Sequence, residues 1–172
     1  MPSRMVLLEH SLTDGSMHYD WMLHHPPENG LAAPDHGSAH PGDDEKVLLT
    51  FRVLERIDLD RVQTFTGDML APHRYKYLRF QGPVSGKRGS VRRVASGMVR
   101  TINILPGGAD IAIRARFQQG HECYFAGTKQ RDFWHFTRSK PLIVKPPRRE
   151  ADPGDAELGG GGWYGPGPEI LL

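Results

Sequence analysis

A single cysteine, Cys123, occurs in the 172 residues, so no disulfide within the chain can staple the fold. Cys123 reads as a small buried hydrophobe, and the lack of a disulfide framework suits a reducing cytoplasm. No run reaches the roughly 18 uninterrupted apolar residues of a membrane span. The apolar stretch in MPSRMVLLEHS is too short for a signal peptide. A soluble cytoplasmic protein with no membrane partner is expected. Helix signals are nearly missing, with only DLDRVQTF (58–65) suggesting a turn or two. No internal repeat is visible. The net charge of +2 is too small to specify a partner by itself.

What the chain has in quantity is short strands. MVLLEH (5–10), HYDWML (18–23), VLLTFRVL (47–54) and YKYLRF (75–80) are followed by MVRTINIL (98–105), DIAIRARF (110–117), ECYFAG (122–127) and DFWHFTR (132–138). In the sixth of these, Ile111, Ile113, Ala115 and Phe117 share one face and Arg114 and Arg116 the other, the period of a half-solvated strand. Gly (20) and Pro (14) supply turns between the runs, and 38% hydrophobic residues suffice for a core. The expected fold is all-β: a small closed barrel of short antiparallel strands with little helix, spanning residues 1–145. Two stretches read as outside the core. The segment 24–46, with His24, His25, His36 and His40, is a long polar surface loop. The Gly/Pro-rich tail, 146–172, reads as disordered. The chain is expected to be monomeric.

On a strand, Tyr19, Trp21 and Leu23 share the core face, and His18 and Asp20 share the other, about 7 Å apart by the strand rise. Imidazole nitrogen with carboxylate oxygen suits Zn²⁺, Mn²⁺ or Fe²⁺. The commoner meaning of an isolated His-x-Asp is a satisfied polar pair. A hairpin through SLTDGSM, however, would bring His10 beside these two, giving three ligands from adjacent strands with open positions left for water and substrate.

A second feature is a missing charge. No acid occurs between Asp68 and Asp110, a span that carries Arg74, Lys76, Arg79, Lys87, Arg88, Arg92, Arg93 and Arg100. Such a run favours a polyanion, because phosphates neutralised by Lys and Arg release counterions. The plainer meaning is a solvated basic face. Inside the span, GPVSGKRGS has the glycines that let a backbone approach a phosphate closely. In the segment before it, Leu78 and Phe80 are expected in the core, with Tyr75, Tyr77, Arg79 and Gln81 on the opposite face.

Glu9-His10, then His18-Tyr19-Asp20, then His73 with Tyr77 four residues on, then Gly82, Val84 and Gly86, and finally DFWHFTRSK together resemble the 3′-phosphoesterase domain at the N-terminus of bacterial DNA ligase D and its short stand-alone relatives. The resemblance covers about residues 4–140. It implies a small β-barrel whose cleft binds a divalent metal, commonly Mn²⁺, and which trims 3′ ends of DNA or RNA by removing a 3′-phosphate or a terminal ribonucleoside. Carried over, His10, His18 and Asp20 hold the metal, and His73 and Tyr77 contact the scissile phosphate. Arg74, Lys76, Arg79, Lys87 and Arg88 become the nucleic-acid contacts. A bacterial protein working at the nucleoid in DNA end repair, with a separate ligase or polymerase as partner, is implied. Two positions depart from the family pattern: Met22 stands where the family has Arg, and Leu8 where it often has Gln. The hairpin between His10 and His18 is also two residues longer.

Two competing expectations follow. One is an end-binding module with a degenerate catalytic site. The other casts His18, Asp20 and His73 as the iron triad of an oxygenase, with Arg88-Gly89-Ser90 clamping an oxo-acid.

Overall fold

Each period-two run carries one apolar face that must be covered, and antiparallel pairing around a common core is the solution adopted. A computed structural model of the protein describes residues 3–24 and 41–140. The strands are β1 (Ser3–Ser11), β2 (Met17–His24), β3 (Lys46–Val53), β4 (Thr64–Arg74), β5 (Gly82–Pro83), β6 (Ser90–Ile104), β7 (Asp110–Phe117), β8 (Glu122–Gln130) and β9 (Phe133–Ser139). Eight of them form a ring in the order β1-β2-β3-β4-β9-β8-β7-β6, and β6 pairs back onto β1. The barrel is thus closed and antiparallel, which leaves none of the eight as an open edge. β5 is a short addition to the start of β6. Register shifts between Leu7 and Leu8, along β3, and between Val99 and Thr101 supply the local bends that closure needs.

An eight-stranded barrel is just wide enough for side chains to fill. Trp21 occupies the interior, with the rings of Phe51, Phe65, Phe125 and Phe136 at centroid distances of 5.1–6.1 Å. Ile111, Ile113, Ala115 and Phe117 face the same core, as their alternation predicts. Cys123 is buried there as a free thiol. Arg138 is the one buried cation among the described residues. It donates to the Leu59 carbonyl (2.8 Å) and to Asp60 Oδ1 (2.7 Å), which ties the turn before β4 to the barrel.

A second apolar cluster lies outside the barrel wall: Val6, Leu8, Met22, Leu48, Leu78, Val84 and Val91. β1 is therefore covered on both faces, with Met5 and Leu7 inside and Val6 and Leu8 outside. That double cover is why MVLL reads as a continuous apolar run rather than an alternation.

Two expectations need correction. YKYLRF is not a strand: Tyr75–Leu78 is a 3₁₀ turn. The backbone N–H groups of Tyr75 and Lys76 go to the carbonyls of Glu45 and Asp43 (2.8 and 2.9 Å), and those of Arg79 and Phe80 both go to Lys76. With four of its six donors used this way, the segment is held as a turn and not as a ladder strand. Leu78 and Phe80 do pack inward, but Tyr75 and Tyr77 join the same outer cluster instead of facing away. The stretch from 58 to 65 holds successive turns, such as Leu59 N–H to the Arg56 carbonyl, and then enters the 11-residue β4. Most of the segment 24–46, including His25, His36 and His40, and the tail 146–172 lie outside the described residues.

Candidate metal centre

The β1–β2 hairpin sets the geometry. Its turn is closed by Leu12 N–H to the Ser16 carbonyl (2.9 Å), and Asp14 Oδ1 accepts from both the backbone and the hydroxyl of Ser16. The resulting register places His10 opposite His18 and Leu8 opposite Asp20. All four side chains project from the outer wall, since Tyr19, Trp21 and Leu23 point into the barrel. One nitrogen each from His10 and His18 and one oxygen of Asp20 lie within 4.8 Å of one another. These three side chains retain only 15%, 12% and 5% of their exposure, so the cluster is recessed in the surface.

Proton placement argues for a cation here. His10 Nε2 lies 2.7 Å from the Arg88 carbonyl, which can only accept, so Nε2 carries the hydrogen. In the neutral ring Nδ1 then presents its lone pair, and it faces Asp20 Oδ2 at 3.2 Å. On the other side Asp20 Oδ1 lies 3.3 Å from His18 Nε2. Oδ1 is buried and has no hydrogen-bond donor among the described residues. A buried carboxylate oxygen without a donor is costly, and a metal ion shared with two imidazoles resolves it. A ligating histidine whose other N–H is held by a backbone carbonyl is the usual support of such a site. The residues present fit a divalent cation of the Zn²⁺/Mn²⁺/Fe²⁺ class.

The carbonyl that orients His10 belongs to the glycine-rich loop, a role the sequence reading did not assign. That reading had the glycines approaching a phosphate and the Arg88 guanidinium on nucleic acid. The guanidinium donates Nε–H to the Ser85 carbonyl (2.8 Å), bracing the loop from within. Gly89, at φ 85°, sits where a Cβ would lie 1.9 Å from the Ser11 carbonyl oxygen. The loop thus touches the end of β1 backbone to backbone, and only glycine permits it. Gly89→Ala is expected to lift the loop, withdraw the Arg88 carbonyl and weaken Mn²⁺ binding by about 10–100-fold. Calorimetric titration would read this, and an unchanged affinity would separate the loop from the site.

His73, on β4, stands near the cluster. Burial holds its pKa below the ordinary histidine value, against the pull of Asp20 and of its bond to the Ala71 carbonyl; His10 and Arg88 push the same way as burial. It is neutral at pH 7, where a histidine is already mostly uncharged. Nδ1 donates to the Ala71 carbonyl at 3.0 Å, leaving Nε2 as an acceptor. Its ring meets Tyr77 edge-on at 5.8 Å. It is His10, rather than His73, that makes up the close set with His18 and Asp20.

The acid-free basic stretch does not stay acid-free in three dimensions. The turn before β3 supplies Asp43 to Arg79 and Asp44 to Lys76 (2.9 Å) and Arg74 (3.9 Å). Glu9 pairs with Arg92 at 2.9 Å. Of the cations singled out from the sequence, Lys87, Arg88 and Arg93 are the three without an acidic partner among the described residues. Sequence spacing could not reveal this, because these compensating acids lie 30 or more residues away.

No family model matches the chain, and no curated protein matches it; the chemistry of the cluster follows from its own residues alone.

Proposed function

We propose that the protein is a metal-dependent phosphoesterase that acts on 3′ ends of nucleic acid, removing a 3′-phosphate or terminal ribonucleoside in DNA end repair. The observation that carries this is the recessed His10–His18–Asp20 set, with its donorless carboxylate oxygen, beside a neutral His73 and Tyr77. The motifs shared with the ligase D 3′-phosphoesterase domain agree with it and favour Mn²⁺. His10, His18 and Asp20 hold the ion, and the Arg88 carbonyl keeps His10 in its ligating tautomer. A divalent ion there supplies polarisation of a phosphoryl oxygen and activation of water. His73 offers Nε2 to a proton from the attacking water, since Nδ1 is committed to Ala71. The Tyr77 hydroxyl donates to a phosphoryl oxygen as charge develops. The product 3′-OH is what a separate ligase or polymerase requires.

A second reading, an end-binding module, is favoured by Leu8 and Met22. Both are buried in the outer apolar cluster, where the related family has groups that would contact phosphate. The deciding measurement is phosphate release from a duplex with a recessed 3′-phosphate, with and without Mn²⁺. Metal-dependent release that His18→Ala abolishes without unfolding is the expected result. A folded protein that binds the duplex and releases nothing would establish the binding module instead.

A further inference from the structure

At the other end of β1 the barrel wall carries a groove of about 540 Å³ that none of the site residues lines. Its walls include Arg4, Arg93 and Arg116, together with Leu78, Met98 and Gln118, and no acidic residue lines it. The register explains the grouping: Met98 on β6 lies opposite both Arg4 on β1 and Arg116 on β7, so the two arginines flank it on the outer face. Both are exposed. Neither has an ion-pair partner among the described residues. Glu122, opposite Arg116 in the β7–β8 register, is already held by Arg114 at 2.8 Å and Arg100 at 3.7 Å. Arg93 is fixed by donating Nη2–H to the Leu78 carbonyl (3.0 Å), yet its Nε is buried with no acceptor. Three guanidiniums around a concave surface, one with an unsatisfied buried N–H, call for an anion with several oxygens.

We propose that this groove takes the phosphate backbone of the nucleic acid at a distance from its 3′ end. The inference rests on the reading of the metal centre as a 3′-end site. Arg4 is six residues from His10 on the same strand, or about 20 Å at the strand rise. That is about six nucleotide steps of duplex at roughly 3.4 Å each. The 3₁₀ turn touches both places: Leu78 lines the groove, and its neighbour Tyr77 meets His73 beside the metal centre. An end seated at the cluster would therefore carry its duplex past the turn and onto the arginines.

The test uses the full chain and its Arg4→Ala/Arg116→Ala variant. Affinity for a 12-base-pair duplex with a recessed 3′-phosphate is measured across a salt series, alongside Mn²⁺ titration and phosphate release. The variant is expected to bind about tenfold or more weakly, and its log affinity against log salt should flatten by about 2, near 0.9 per lost phosphate contact. Mn²⁺ affinity should not change. A hairpin with a stem of about four base pairs, too short to reach the groove, should bind both proteins alike. Equal affinity and slope for the long duplex, or equal sensitivity of the short hairpin, overturns the proposal. Failure of the wild type to bind any duplex also overturns it, and with it the nucleic-acid reading. Arginine-dependent binding without phosphate release supports the groove while removing the catalytic reading.

Discussion

Asp20→Asn is expected to weaken Mn²⁺ binding by more than the roughly 10–100-fold that loss of an outer hydrogen-bonding partner costs, because the substitution removes a ligand's charge. Wild-type protein at a metal concentration about 100 times Kd should gain about 2.7 kcal/mol of stability. The variant at the same concentration should gain almost nothing. Without metal the sign reverses. Asp20 is only 3% exposed, and its Oδ1 has no donor, so the neutral amide removes an uncompensated buried charge. The metal-free variant should match or exceed the wild type in denaturant midpoint, because an unsatisfied buried charged group costs about 1–3 kcal/mol or more. Opposite signs with and without metal mark a residue kept for binding. A metal-free variant that is clearly less stable would instead make Asp20 part of the hairpin's own structure.

Trp21→Ala should have the largest effect on folding, about 3–5 kcal/mol, since it empties the centre of a packed aromatic core. At about 2–4 °C per kcal/mol for a chain of this size, Tm should fall by about 6–20 °C. Trp21→Phe should cost much less. It keeps an aromatic ring among Phe51, Phe65, Phe125 and Phe136 and also removes the indole Nε1–H, which is buried without an acceptor. Thermal denaturation of the two variants separates packing volume from the polar atom. A Trp21→Ala protein with an unchanged Tm would mean that the barrel interior is not the source of its stability.

Met22 and Leu8 show how a departure from a motif gains meaning from packing. In the sequence they are isolated substitutions on two strands. In the fold they lie within one cluster with Val6, Leu48, Leu78, Val84 and Val91, at 1% and 0% exposure. An arginine at position 22 would place a charge among these aliphatic side chains, at a cost a nearby anion would have to offset. The apolar pair and the 3₁₀ turn that covers it are thus one packing arrangement built from distant segments.

His10, His18 and Asp20 were legible as a set because a hairpin is local. Alternation puts His18 and Asp20 on one face, and a five-residue connection returns β2 beside β1 in register. The interior faces of β2 and β7 were legible for the same reason, as period two needs only near neighbours. The tertiary structure alone decided the rest. The 3₁₀ turn at Tyr75–Leu78 forms because its amides are claimed by carbonyls of Glu45 and Asp43, some 30 residues earlier. Asp43 and Asp44 cancel cations that seemed unopposed. The Arg88 carbonyl reaches His10 across 78 residues of chain. Local pattern determines which face a side chain takes; which distant group meets it there depends on closure of the barrel, where hydrogen-bond and charge partners are chosen by proximity in space.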